Sequence, residues 1–501
     1  MKRLLKVSGC WVFSCAALLL FAVPSGAIDL NESGTAQLTG SVETRLSIAT
    51  QDRDPGTYPQ VPAGNMVQNR WLGLIELNHD LQKVGGFDVK YHLVGRFMYE
   101  GVYDYGPQKF QDVPNENWVE DIDDFKWDAD LWEAYIDVSR GPGFLRVGRQ
   151  NLAWGETDLV RILDNITPLD NTFGGIFEDL DDRRIPLWMI RGTWNLGNVG
   201  PVTSLGLEGF LVPGNVDATV SPFFPPGTAY APPNPPGPPP PFPFRKNEPE
   251  TDWDNSRYGA RFLGYTGGVN WSLGYQHTFL DNPRTRFVSD PTNFTHVALE
   301  FDWQMVDILG GSFNYHIEGI DTIIRGEAGY FWGVNQSVPA VNTPVVPTGL
   351  PAPFPPVAPV PGAFVESDEL RYSLSFDKSV WIRWLNSNNP WDFTLQFAAT
   401  TILDHDDRMI NAYGLPIKET EWNVTFIAMN MGGWFNGSLL PEFVVNWDPR
   451  NIWFIQPALT YKWGDHVRTK LIYSTIIGDE LANAGTFNDR DQITLLLQYL
   501  F

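Results

Sequence analysis

The chain has 501 residues, with 35 basic against 59 acidic side chains, a formal net charge of −24, 7 histidines and only 2 cysteines. That negative balance excludes nucleic acid as a partner, because a phosphate backbone requires a basic face. Both cysteines, Cys10 and Cys15, stand in the first segment, so the rest of the chain has no disulfide, no cysteine-ligated metal and no haem-attachment motif, and no cofactor is expected.

The chain starts with Lys2, Arg3 and Lys6, continues through an apolar run at 11–23, and offers the small residues Ser25, Gly26 and Ala27. This pattern predicts a signal peptide at 1–27 and a mature chain from Ile28. An anchoring first helix is the alternative, against which the run is short. Cys15 lies too early for a lipidated cleavage point. Losing the three cations leaves 32 basic against 59 acidic side chains, a net −27. Such acidity suits soluble exposed loops or divalent-cation bridging to anionic headgroups, and composition does not separate the two. After Ala27 no stretch approaches the roughly 18 apolar residues a spanning helix needs. Water or a β-barrel remains.

Segments of about ten residues with alternating polarity recur instead, which is the dyad signature of a membrane barrel. In 37–48, Leu38, Gly40, Val42, Thr44, Leu46 and Ile48 oppose Gln37, Thr39, Ser41, Glu43, Arg45 and Ser47. Strands are predicted at 36–48, 68–79, 86–99, 130–139, 143–150, 186–196, 203–213, 257–265, 268–279, 293–303, 321–332, 368–377, 390–402, 420–430, 436–447, 451–463, 466–477 and 490–501. The predicted fold is all-β, a transmembrane antiparallel up-and-down barrel of 16 to 18 strands. Connections alternate long and short, as extracellular loops and periplasmic turns do, except that 304–320 and 378–389 are long for turns and have room for a helix or another strand. Inward faces nominate Arg45, Glu76, Arg96, Glu133, Arg257, Arg261, Arg325, Glu327, Arg371, Arg468 and Lys470 as lumen wall. Several charges on one strand face are costly in a dry core and cheap in a wet lumen. Aromatics near strand ends (Trp71, Tyr91, Tyr99, Trp132, Trp391, Trp447, Trp463, Tyr499) point to interfacial girdles. The alternative reading is ordinary core and loop aromatics.

The stretch 146–191 is the least barrel-like. It contains Arg146-Val147-Gly148-Arg149-Gln150, Trp154-Gly155-Glu156, Asn165-Ile166-Thr167-Pro168-Leu169-Asp170 and Arg184-Ile185-Pro186-Leu187-Trp188-Met189. Together with Phe376-Asp377-Lys378 and Trp381-Ile382-Arg383-Trp384-Leu385-Asn386, these resemble a bacterial outer-membrane barrel family known only as a domain of unknown function. The resemblance covers most of the mature chain. It implies a porin-like barrel, sometimes encoded near exporters and lipid or steroid genes, and no established substrate.

A polar loop as long as 151–185 is either functional or disordered, and the apolar stripe Leu159, Ile162, Leu163, Ile166 and Leu169 argues for order. It is expected to fold inward as a constriction or partial plug, carried by Arg149, Trp154, Glu156, Asp158, Arg161, Asp164, Asp170, Glu178, Asp179, Asp181, Asp182, Arg183 and Arg184. The competing reading is a lumen filled by charges that only stabilise the wall. The acids Asp179, Asp181 and Asp182 lie beside two arginines, so a salt-bridged patch is favoured over a calcium site. The Pro-rich stretches 213–249 and 338–361 read as extracellular loops, since proline cannot donate to a ladder. Gly85-Gly86 and Gly310-Gly311 read as turns.

The last strand places Ile493, Leu495, Leu497, Tyr499 and Phe501 on one face, and its aromatic end resembles the assembly signal read by the barrel-insertion machinery. No histidine stands in a hydrolase context, so no enzyme is expected. The expected role is a channel or transporter-like barrel in the outer membrane of a Gram-negative-type bacterium. It passes a small solute, hydrophobic by the resemblance, and its partners are outer-membrane lipid, lipopolysaccharide and, by the same resemblance, an exporter complex. A non-transporting scaffold with a closed lumen is the alternative, and a sheath around a separate cytochrome is a third reading.

Overall fold

The computed structural model describes residues 27–53, 60–111, 125–172, 174–214, 228–231, 244–289, 297–339, 346–347, 357–358, 361–478 and 482–501. The predicted leader with its cysteines, and most of both Pro-rich stretches, lie outside the described residues. Among the described residues no helix is long and apolar enough to cross a membrane.

Alternation produces the wall. Eighteen antiparallel strands follow one another: β1 (Ala36–Ala49), β2 (Met66–Val84), β3 (Phe87–Glu100), β4 (Trp127–Arg140), β5 (Gly143–Gln150), β6 (Leu187–Val199), β7 (Val202–Val212), β8 (Arg257–Thr266) and β9 (Val269–Phe279). The second half runs β10 (Met305–Ile317), β11 (Thr322–Pro339), β12 (Pro361–Val380), β13 (Trp391–Ile402), β14 (Thr420–Met429), β15 (Leu439–Asp448), β16 (Ile452–Trp463), β17 (Val467–Ile477) and β18 (Gln492–Leu500). Each pairs with its neighbours in sequence, and β18 closes the cylinder on β1 from Ser41↔Leu500 to Ala49↔Gln492. Closure leaves no edge, so every wall backbone group can pair without water.

The closing seam ends on Phe501, which exchanges backbone bonds of 2.9 and 3.0 Å with Gly40. A side chain at Gly40 would collide with the Phe501 ring, so this glycine makes room for the terminal aromatic.

Outward registers carry the exposed apolar side chains around the whole wall, among them Ile75, Phe97, Ile136, Leu273, Leu309, Leu395, Leu471 and Leu495. A continuous belt of this kind matches a hydrocarbon phase and would aggregate in water. Rings flank it: Tyr99, Tyr258, Trp332 and Trp447 toward the long-loop end, and Trp194, Trp271, Trp463 and Tyr499 toward the short-turn end. Trp132 differs from its expected girdle place. The bulge between Val94 and Gly95 turns it toward Arg96, whose guanidinium carbon stands 3.7 Å from the ring centroid.

Two segments exchange the roles expected of them. Residues 297–302 do form a strand, but in a small separate sheet, antiparallel to Arg284–Ser289 and parallel to Phe244–Asn247. The wall strand is β10, inside the stretch expected to be a turn. Its polarity pattern fails because inward Val306 and Ile308 pack on Ile162 and Leu163 instead of facing water. Gly310 and Gly311 accordingly lie within β10 and form no turn, whereas Gly85 and Gly86 both adopt positive φ in a two-residue hairpin. The second long turn, at 381–390, locks onto the turn at 430–438: buried Asn386 donates to Asn430 at 3.1 Å and to the Gly433 carbonyl at 2.7 Å.

Candidate functional site

Residues 151–186 leave β5 and return to β6 after crossing the interior. Three apolar pads hold them. Leu152, Trp154 and Ile166 pack on inward Leu187, Met189, Phe210 and Val212, with Trp154 edge-on to Phe210 at 5.1 Å. Ile162 and Leu163 pack on Leu280, Val306, Ile308, Phe331 and Val334. Phe177 joins a cluster at the long-loop end with Phe454, Tyr230 and Tyr103. Leu163 also has a flat seat: a β-carbon at Gly329 would stand 2.9 Å from its δ-carbon, and one at Gly310 would overlap it. Burying one such leucine contributes about 2 kcal/mol.

Polar bolts fix the same path. The Glu327 carboxylate accepts the Glu156 and Leu163 amide N–H groups at 2.6 and 2.5 Å. Gln276 donates to the Leu163 carbonyl at 2.7 Å, Thr278 to that of Asn165 at 2.8 Å, and Arg257 to that of Ile166 at 2.9 Å. Arg325 bridges Asp158 and Asp377 at 2.7 and 2.6 Å, and the Gln396 side-chain oxygen accepts the Asp158 amide at 3.1 Å. On the far wall Arg45 contacts Glu43, Glu178 and Asp182, while Gln68 donates to Glu178 at 3.0 Å. The segment also doubles on itself. The Asp170 amide donates to the Arg183 carbonyl at 2.6 Å and the Ile185 amide to that of Pro168 at 2.9 Å.

The nominated plug residues separate into groups. Trp154, Glu156, Asp158, Glu178 and Asp182 meet wall residues. Asp164 pairs with Arg184 at 2.5 Å and Arg161 at 3.3 Å, inside the segment, and Arg161 also pairs with Asp281. Asp170 accepts the Thr172 amide at 2.9 Å. Arg149 stays with the wall, bonded to Asp130 and to the carbonyls of Leu131 and Pro186. Asp179 is exposed, and Asp181 is exposed beside Arg184 at 3.1 Å. Asp181 and Asp182 therefore turn to different arginines, Arg184 and Arg45. Burial pushes the Arg183 guanidinium down to about 10. Burial also opposes charge on Arg184, but Asp164 and then Asp181 outweigh it and raise its pKa.

Of the nominated wall residues, Arg45, Arg257, Arg261, Arg325 and Glu327 contact the segment directly, and Glu133 reaches it through Asn151 at 2.7 Å. Arg371 pairs with Glu369 at 2.7 Å and covers the Phe331 ring. Arg96 lies over Trp132. Glu76, Arg468 and Lys470 do not join this site: Glu76 accepts from Asn78, Lys470 pairs with Glu442 at 3.2 Å, and Arg468 on β17 faces Gln498 on β18.

Glu208, absent from the nominated set, bridges Arg191 and Arg261 at 2.7 and 2.6 Å. It alternates correctly within 203–213 and was legible as an inward residue. Asp281 and Arg284 carried no such signal, because they lie beyond the end of β9.

The segment leans on β6 to β11, and a cavity of about 590 Å³ remains beside it. Its lining comes from Leu159, Arg161, Leu169 and Arg183 on the segment and from Arg371, Thr400, Asn423 and Asn446 on β12 to β15. At the long-loop end, residues 228–231 of the β7–β8 connection dock near the β1–β18 seam. The Ala229 carbonyl accepts from Arg53 at 2.6 Å and Arg490 at 2.8 Å, and the Tyr230 hydroxyl donates to Gln492 at 3.1 Å.

A sequence profile of the family described as "Protein of unknown function (DUF1302)" matches residues 11–501. No curated protein matches the chain. Among solved structures, OccAB3 of Acinetobacter baumannii is similar, with TM-score 0.48, 10% identity, and coverage of 93% of this chain and 99% of that one. OccK3 (OpdO) of Pseudomonas aeruginosa gives TM-score 0.47 at 11% identity, covering 94% and 97%. OmpF of Salmonella typhi, in complex with daunomycin, gives 0.41 at 9% identity, covering 95% and 100%.

Proposed function

Because the chain belongs to the family described as "Protein of unknown function (DUF1302)", whose match spans both wall and inward segment, we propose that it is a non-enzymatic channel-like barrel of a Gram-negative outer membrane. It reaches that membrane after loss of the leader at 1–27, and it passes a small solute with apolar character. The inward segment is its constriction, and the nominated plug and wall residues set its bore and charge. The observation that carries the reading is the cavity of about 590 Å³ between the segment and β12 to β15. A loop packed to fill the lumen would leave no such space. Deleting 157–182 removes the constriction, so single-channel conductance in planar bilayers should rise severalfold and ion selectivity should change. Unchanged conductance and selectivity would refute the reading.

One observation favours a closed scaffold instead. Ser47, Gln396 and Thr425, inward residues of β1, β13 and β14, are fully buried, as they would be in a sealed lumen. Liposome flux separates the two: a scaffold passes no solute with its loops intact.

A further inference from the structure

The cavity beside the segment has two kinds of surface. Arg183 bonds Asn171 through one guanidinium nitrogen and, among the described residues, has no carboxylate within ion-pair distance. Arg284 has one carboxylate near it, Glu369 at 3.7 Å, beyond hydrogen-bond reach. That carboxylate is already engaged by Arg371 at 2.7 Å and Gln336 at 2.5 Å. The Nε atoms of both arginines lack an acceptor among the described residues. Arg161 and Arg371, on the same cavity, are neutralised by Asp281 and Glu369. Arg183 and Arg284 therefore keep donor capacity that no carboxylate at hydrogen-bond distance takes up among the described residues, and beside them Leu159, Leu169, Leu280 and Ile402 give an apolar lining.

A guanidinium presents planar paired donors that carboxylates and phosphates both match two at a time, and of these the singly charged carboxylate suits the apolar lining beside them. A cavity of about 590 Å³ is of the size that encloses a small organic molecule. We infer that this cavity binds amphipathic monocarboxylates, with the head on the open guanidiniums of Arg183 and Arg284 and the alkyl body along Leu159, Leu280 and Ile402. The inference rests on the channel reading for its purpose and names the class of solute that would be carried. It also accounts for the conjunction of incompletely paired positive charge with apolar lining in a chain that is acidic overall.

Binding is measured by isothermal titration of the purified full chain in detergent at pH 7 and low salt, with hexanoate, hexanamide and butanoate as probes that stay in water. Hexanoate should bind at least tenfold more tightly than hexanamide. Two buried methylenes should favour it over butanoate by roughly 15-fold. The double substitution Arg183→Gln with Arg284→Gln should bring acid and amide to similar affinity, its folding checked by heat-modifiable gel mobility. Equal affinity for acid and amide in the unaltered protein overturns the inference, and so does a preference that survives both substitutions. The first comparison needs no variant. If liposomes show no flux while the preference persists, the channel reading falls and the binding site stands.

Discussion

Replacing Glu327 with glutamine tests what holds the inward segment. The carboxylate is 3% exposed and accepts two backbone N–H groups, from Glu156 and Leu163, with its two oxygens. Glutamine keeps the shape but has one oxygen, so one N–H keeps an acceptor and the other faces an NH2 group. Losing one charge-assisted bond and stranding one buried donor costs about 2 kcal/mol. The apolar pads on Leu152, Ile162 and Phe177 remain, so the segment stays docked but opens more often. Two kcal/mol is roughly a 30-fold change in an equilibrium constant. Amide hydrogen exchange in detergent reads it directly: peptides carrying the 156 and 163 amides should exchange about 30 times faster, with wall peptides from β13 unchanged. Unaltered exchange at those two amides would refute the bolt, and equal acceleration of the wall would show global loosening instead.

Two other positions give separate tests. Gly329→Val puts methyl groups against Leu163, whose δ-carbon a β-carbon there already meets at 2.9 Å, so it should displace the segment, raise single-channel conductance and cost about 1–3 kcal/mol in thermal stability. Gly192→Ala, whose β-carbon would meet nothing nearer than 3.8 Å, should do neither, and identical behaviour of the two variants would refute the seat. Phe501→Ala removes the ring stacked near Tyr499 at 6.3 Å and seated over Gly40. It should lower the assembled, heat-modifiable fraction in cells while refolding into detergent stays nearly normal, and an unchanged assembled fraction would count against an assembly signal there.

The barrel was legible because its inner wall is wet. Wherever inward residues are polar, as with Glu43, Arg45 and Ser47 on β1, period-two alternation reveals the strand. It fails on β10, where the inner wall is dry: Val306 and Ile308 meet the segment, and outward Asp307 is satisfied by Tyr275 at 2.6 Å and His277 at 2.7 Å, so neither face looks like itself. The stretch 297–302 failed in the opposite sense. Its alternation is real but serves a small sheet that is not part of the wall, and local pattern does not say which partner a strand takes. The length of 151–185 marked it as special, yet the wall it leans on depends on contacts such as Glu327 with Leu163, 164 residues apart, which no local signal carries.

The same wall that hid β10 sets where the inward segment sits. Inward positions of β6 to β11 include Leu187, Met189, Phe210, Val212, Val306, Ile308 and Phe331, a strip that would be costly to leave facing water. The segment covers that strip with Leu152, Trp154, Ile162, Leu163 and Ile166. Inward positions of β12 to β15 include Arg371, Ser373, Ser375, Gln396, Thr425 and Asn446, with Ala398, Ile427 and Val444 among them. The inward segment therefore sits to one side because the large apolar inward residues of β6 to β11 seat its own apolar side chains, alongside polar bolts from the same strands. The cavity lies against β12 to β15, where Thr400, Asn423 and Asn446 present hydroxyls and amides that an apolar loop would have to strip of water.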